Sequence, residues 1–204
     1  MSSTNRTNAK ERHASDYYVT PQQDIKLFFE NWIKDECVND GDDFIDMCRN
    51  LQDVIWFDPC AGGDSNHEMS YPSVIENYLG ARHIVTMDIR EDSLADIKQD
   101  FLSLNSDEQY DIVITNPPFN QAQEIIAKAH EHTQENGFII MLLRLNFLGS
   151  KQRKLFWEQY PPYRIYVHHK RMSFKDEGGT DSIEYAHFVW KKGVKPSEAL
   201  LKII

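Results

Sequence analysis

Cysteine is scarce in this chain, three in 204 residues, and Cys37, Cys48 and Cys60 form neither a Cys-x-x-Cys pair nor an even set. That excludes a disulfide framework and points to a reducing compartment. Long apolar runs are missing as well. No stretch approaches the roughly 20 residues a bilayer span needs, and the polar opening segment 1–15 has no apolar core of the secretory kind. The expected setting is cytoplasmic, with no membrane partner, and residues 1–15 read as a flexible N-terminus ahead of one domain over residues 16–204. No repeat or low-complexity block stands out. The Gly-x-Gly-x-x-Gly fingerprint is also absent, which argues against a dinucleotide ligand.

Positive charge is in short supply: 22 Lys and Arg stand against 32 Asp and Glu, a net charge of −10. On its own this argues against strong nonspecific affinity for nucleic acid, because neutralised phosphates supply most of that affinity. The charge is unevenly spread, however. Arg144, Lys151, Arg153, Lys154, Arg164, Lys170, Arg171, Lys175, Lys191 and Lys192 fall in the last third, so a basic face is compatible with an acidic protein.

The chain does have enough apolar residues for one core, 41% hydrophobic and 12% aromatic. Ile25, Phe28, Phe29, Trp32 and Ile33 recur at helical spacing and predict a helix over residues 24–37. A short helix is predicted at 44–51. The run Val54-Ile55-Trp56-Phe57 predicts a buried strand that stops at the turn Asp58-Pro59-Cys60-Ala61-Gly62-Gly63. A helix is expected near 73–79, a strand at 83–87 closed by Asp88, and one helical turn at 94–97. Further strands are predicted at 110–115, 138–143, 163–168 and 184–190, with helices at 121–132 and 151–159 and a turn ending at Gly137. Strands alternating with helices predict an α/β, Rossmann-like, mostly parallel sheet covered on both faces.

The unusual local sequences all follow strands. In such sheets the ligand sits at the carboxyl ends of the strands. A Gly-Gly turn lets backbone approach a ligand closely, and an acid some 25 positions on, here Asp88 with Ile89 after it, suits a ribose diol. That pairing fits a nucleoside cofactor without a pyrophosphate, such as S-adenosyl-L-methionine. The most specific signal is Asn116-Pro117-Pro118-Phe119, where two prolines force the chain out of regular structure. An exocyclic amine is a poor nucleophile because its lone pair is delocalised into the ring. Two acceptors that hold its hydrogens out of plane, the Asn116 side chain and the Pro117 carbonyl, relieve this, and Phe119 stacks on the base. The nitrogen can then attack a methyl group in line, about 3 Å away.

With these motifs in the order Thr-Pro, Asp-Pro-x-x-Gly-Gly, strand-end acid, Asp-Phe-Leu, Asn-Pro-Pro-Phe, the sequence resembles the class I amino methyltransferases, and among them the small DNA adenine-N6 methyltransferases of phages and bacteria. The resemblance runs roughly from Tyr17 to Lys192. It implies that Thr20, Pro21 and residues 58–63 enclose the methionine part of S-adenosyl-L-methionine, with Tyr18 beside them. It further implies that Asp88 holds the ribose, that Asp100 and Phe101 border the cofactor adenine, and that Asn116, Pro117, Pro118 and Phe119 are catalytic. A target adenine in duplex DNA would have to be flipped out, at a few kcal/mol. Protection from restriction is the role such enzymes imply. One departure is the turn, Ala61-Gly62-Gly63 where the family has Gly-x-Gly.

No insert large enough for a target-recognition domain is visible, so a recognition subunit or a homodimer is an expected partner beside DNA. Residues 171–182, with Arg171 and Ser173, are expected to form a substrate-facing loop alongside Arg144, Asn146 and Lys151. Two other readings stand beside this one: transfer to RNA bases or to protein glutamine, which the acidic balance suits, and a catalytically idle cofactor-binding subunit. Cys60 follows a proline, as does the nucleophile of the cytosine-C5 enzymes, but it lies after the wrong strand. His168 and His169 are adjacent, so on a strand they point to opposite faces and do not form a metal pair.

Overall fold

The computed structural model describes residues 18–36, 48–174 and 182–204. The N-terminal segment 1–15, Tyr17, Cys37, residues 44–47 of the helix expected at 44–51 and positions 175–181 of the expected loop lie outside the described residues. Residues 48–50 are helical.

Among the described residues, eight strands form one sheet: β1 (Ile55–Asp58), β2 (His83–Asp88), β3 (Ile97–Lys98), β4 (Tyr110–Thr115), β5 (Thr133–Arg144), β6 (Arg164–Val167), β7 (Tyr185–Lys191) and β8 (Leu200–Ile203). Their spatial order is β3-β2-β1-β4-β5-β7-β6-β8. All pairings are parallel except those of β7, which runs antiparallel to both β5 and β6. After β1 the chain steps outward through β2 and β3, then returns to place β4 on the other side of β1. A crevice at such a reversal, above the carboxyl ends of the strands, is where open α/β sheets bind ligands.

The strands are two-faced because their side chains alternate. Trp56, Ile112, Ile114, Ile140 and Leu142 meet Ile25, Phe28, Phe29, Trp32 and Ile33 of α1 (Gln22–Glu36) and Val74 and Ile75 of α2 (Ser70–Asn77). Their neighbours Phe57, Val113, Ile139, Met141 and Leu143 face α3 (Ala122–Glu131), with Phe156 and Trp157 of α4 (Lys154–Gln159) packed against the same cluster. The five α1 residues are completely buried, each contributing on the order of 1.5–3 kcal/mol of transfer free energy. The mostly parallel sheet with helices on both faces is therefore as the sequence predicts.

Two local expectations are corrected, and one strand is added. Residues 94–97 do not form a helical turn. Thr86 and Asp96 exchange two hydrogen bonds (2.7 and 2.9 Å), Lys98 donates to the Ser93 and Ala95 carbonyls, and the chain leaves as the short strand β3. Gly137 does not close a turn before β5 but lies within it, at an irregularity where pairing jumps from Tyr110–Thr133 to Ile112–Phe138. A Cβ there would stand 2.5 Å from the Asp111 carbonyl oxygen. β8, not anticipated, adds a parallel edge to β6.

Candidate active site

A cavity of about 520 Å³ opens at the reversal, within the range that holds a ligand of nucleoside size. The predicted residues that line it come from five places: Tyr18 and Thr20 before α1, Pro59, Cys60 and Ala61 after β1, Asp88 and Ile89 at the end of β2, Asp100 and Phe101, and Asn116 to Phe119 after β4. Arg144 at the end of β5 also faces it.

The wall formed by the β1 turn is fixed by its own hydrogen bonds. Gly62 and Gly63 have φ of +69° and +75°, where a side chain is strained, and a Cβ on Gly63 would lie 2.8 Å from Met69 Cγ. The Gly62 N–H donates to Asp88 Oδ2 (2.8 Å), the Arg90 N–H to Asp88 Oδ1 (2.8 Å), and the Ala61 N–H to the Met87 carbonyl (2.9 Å). The Arg90 guanidinium donates to the Gly63 carbonyl (2.6 Å). Asp88 thus splices the turn to β2 while standing in the cavity wall. Gly62 and Gly63 shape the turn rather than line the cavity. Asp58 and Pro21 are likewise off its surface: Asp58 caps the Cys60 N–H (3.1 Å), and the Pro21 carbonyl accepts from Asp24 and Ile25 at the start of α1.

Burial drives the Asp58 carboxyl up to about 7, against the pull of hydrogen bonds from Thr115 and the Cys60 N–H; nearby Asp88 pushes the same way as burial. Burial, with the charges of Asp58 and Asp88, also raises the Cys60 thiol far above its ordinary range. A thiol so hard to ionise is a poor nucleophile, so Cys60 is a small residue of the turn.

The other wall holds the Asn-Pro-Pro-Phe segment. Asn116 Nδ2 donates to Thr20 Oγ1 (3.1 Å), and Thr20 is 1% exposed. The hydroxyl of a residue 96 positions away thereby sets the amide's orientation and leaves Oδ1 as an acceptor. Phe119 sits in an aromatic and cationic cluster. The Arg144 guanidinium lies 4.5 Å from its ring centroid, Tyr185 5.9 Å and Tyr18 6.5 Å. Phe174 completes the cluster, 4.8 Å from Tyr185 and 5.8 Å from Tyr18. Tyr18 therefore belongs with Phe119 at the acceptor end as much as with the cofactor.

Four predicted substrate residues are not brought to the cavity. Asn146 and Lys151 are exposed in the short helical turns Leu145–Leu148 and Lys151–Arg153, Arg171 is paired with Glu184 (2.9 Å), and Ser173 lies off the wall. Sequence reasoning missed Arg90, two positions past the strand-end acid, which its place in the motif could have flagged. It also missed Tyr71 of α2, which lines the cavity and carries no motif signal.

The profile of the methyltransferase small domain family matches residues 81–156. No curated protein matches the chain by sequence. Among solved structures, a protein from Listeria monocytogenes described as a class I S-adenosylmethionine-dependent methyltransferase is similar with a TM-score of 0.59 and 16% identity, over 91% of this chain and 65% of its own length. A Pyrococcus horikoshii protein described as an RNA methyltransferase has a TM-score of 0.60 and 15% identity, over 88% of this chain and 89% of its own. The M protein of the type I restriction enzyme EcoKI has a TM-score of 0.52 and 12% identity, over 74% and 42% respectively. At such identities the structures establish the fold. The fold is that of a protein described as a class I S-adenosylmethionine-dependent methyltransferase, and the methyltransferase small domain profile covers part of the same region, which makes S-adenosyl-L-methionine the cofactor to test against the site.

The residues present fit that cofactor. Ile89 is 60% exposed at the cavity wall, an apolar surface that a purine face would cover. Asp88 stands at the end of β2 and Asp100, which caps the Leu102 N–H (3.0 Å), holds Phe101 in the wall next to it. Bound there, the cofactor supplies an electrophilic methyl on a sulfonium. Asn116, Pro117 and Phe119 line the same cavity.

Proposed function

We propose that the protein transfers the methyl group of S-adenosylmethionine to the exocyclic N6 of adenine in DNA. The observation that carries this reading is the Asn116 amide, turned by Thr20 so that its oxygen is presented within an Asn-Pro-Pro-Phe sequence. An amine nitrogen approaching there would give one hydrogen to Asn116 Oδ1 and the other to the Pro117 carbonyl, with its ring against Phe119. Pro117 has no N–H to compete for the same space. Held this way, the nitrogen lone pair points in line at the methyl group, and the proton leaves after transfer, so no strong base is needed. The guanidinium of Arg144 over Phe119 supports a π-rich, electron-rich acceptor. Target choice would come from a recognition subunit or a second copy of the chain.

The test is incubation with labelled S-adenosylmethionine and, separately, unmethylated DNA, bulk RNA and a protein extract, with products identified by mass spectrometry. N6-methyladenine in DNA alone is the expected result. Label in RNA or in glutamine would replace the acceptor, and binding of the cofactor without transfer to any acceptor would point to a missing partner.

A further inference from the structure

A buried polar chain leads away from the cavity and is used by nothing described so far. Tyr71 Oη lies 2.8 Å from His187 Nε2, and His187 Nδ1 lies 2.8 Å from His168 Nε2. His187 is completely buried, stacked on Phe28 at 4.1 Å, and His168 is 3% exposed. His168 Nδ1 ends the chain with no hydrogen-bond partner among the described residues. Burial holds both rings below the ordinary histidine range, His168 at about 4, so each carries one ring proton and the chain has two possible directions.

If the Tyr71 hydroxyl donates to His187, both rings carry hydrogen on Nδ1 and the chain ends in an orphaned, buried N–H at His168. If the direction is reversed, His168 Nε2–H donates to His187 and His187 Nε2–H donates to Tyr71 Oη. The orphan is then a lone pair, both imidazoles adopt their intrinsically favoured tautomer, and no donor of this chain of three side chains is left unpaired. The second arrangement frees the Tyr71 hydrogen, and Tyr71 faces the cavity. Its partner His187 stacks on Phe28 of α1, which puts the hydroxyl at the α1 end, where Thr20 lines the cavity, rather than at the Asp100 and Phe101 end.

We infer that Tyr71 is a cofactor-binding residue whose hydroxyl donates to the carboxylate of bound S-adenosylmethionine, and that His187 and His168 are positioning residues that lock its hydrogen in that direction. A hydroxyl that donates at this end forms its strongest bond to an anionic oxygen, and the carboxylate is the only one the cofactor offers. The inference rests on S-adenosylmethionine occupying the cavity and is independent of which amine is methylated.

Titration calorimetry with S-adenosylmethionine and with its decarboxylated analogue tests it, comparing wild type with Tyr71→Phe, which keeps the ring. Loss of a hydrogen bond to a charged group should weaken S-adenosylmethionine binding by about 10- to 100-fold and leave the decarboxylated analogue unchanged. Equal weakening of both ligands, or of neither, overturns the inference. If wild type binds neither ligand, the cofactor assignment itself fails, which is a different result. Nitrogen-15 NMR of the histidines reads the lock directly: His168 and His187 should both be protonated on Nε2, and an Nδ1–H on either overturns it.

Discussion

The two ends of the cavity are built on different principles. At the cofactor end the wall is a mesh of backbone hydrogen bonds: Asp88 alone ties Gly62 to Arg90, and Arg90 returns to Gly63. At the acceptor end the wall is made of ring faces and one guanidinium around Phe119, with the Asn116–Thr20 bond as its main fixed point. A mesh of this kind is preorganised, so a ligand there meets donors and acceptors that need no rearrangement. Ring faces are tolerant of what stacks on them and select weakly. The comparison implies that a ligand at the first end meets a rigid framework, while selection at the second depends on a few side chains.

The sharpest way to break this comparison is Asn116→Ala. The acceptor end should lose turnover by about 10²–10³-fold, while affinity for S-adenosylmethionine by calorimetry stays within about threefold of wild type. Loss of cofactor binding with unchanged turnover per bound enzyme would assign Asn116 to the wrong end. On the cofactor side, Asp58 gives a stability test. Its folded pKa, about 7 against an ordinary 3.8, is raised, so the folded protein holds a proton that the unfolded chain releases. Stability from this group is therefore complete below about pH 4 and is lost as pH rises toward 7. Asp58→Asn should remove that loss, gaining roughly 2–3 kcal/mol relative to wild type between pH 5 and pH 8 in urea unfolding. A pH-independent difference between the two proteins would show that Asp58 ionises normally.

Thr20→Val keeps the shape of the side chain and deletes the hydroxyl that orients Asn116. Turnover should fall about tenfold through misorientation, with Thr20→Ser restoring most of it. A Val variant as active as wild type would mean that the amide needs no orienting partner.

How much of this was visible beforehand follows the same division. The β1 turn, Asp88 and Asn116 to Phe119 were legible because each interrupts a strand with residues whose backbone constraints are local, Gly-Gly and Pro-Pro above all. The five-residue stripe of α1 was legible because burial on one face imposes a period. Residues 94–97 misled because Leu94, Ala95 and Ile97 suit a helix, while the hydrogen bonds of Thr86 to Asp96, a tertiary pairing, decide the outcome. The β8 strand was missed because Leu200, Leu201 and Ile203 are exposed and show no alternation. Tyr71, His187 and His168 left no trace because their link spans 116 positions, and no local pattern encodes that. Asn146, Lys151, Arg171 and Ser173 were chosen by charge and proximity in sequence, which do not say where a loop points.

The weakest expected effects separate two arginines that looked alike in the sequence. Arg144 lies over Phe119 and bonds the Tyr185 hydroxyl (3.4 Å), whereas Arg171 is half exposed and occupied by Glu184. Arg144→Ala removes a face of the acceptor wall and should raise KM for DNA about five- to tenfold, on the scale of a cation–π contact, with cofactor affinity unchanged. Arg171→Ala breaks an exposed ion pair worth well under about 1 kcal/mol, so KM, melting temperature and the salt dependence of DNA binding should all stay at wild-type values. If Arg171→Ala instead raised KM and lowered the salt slope by about one, its guanidinium would have to leave Glu184 for a phosphate when DNA binds. The acceptor end would then extend beyond the Phe119 cluster to the segment after β6, and the contrast between a framed cofactor end and a sparse acceptor end would hold only for the protein without its substrate.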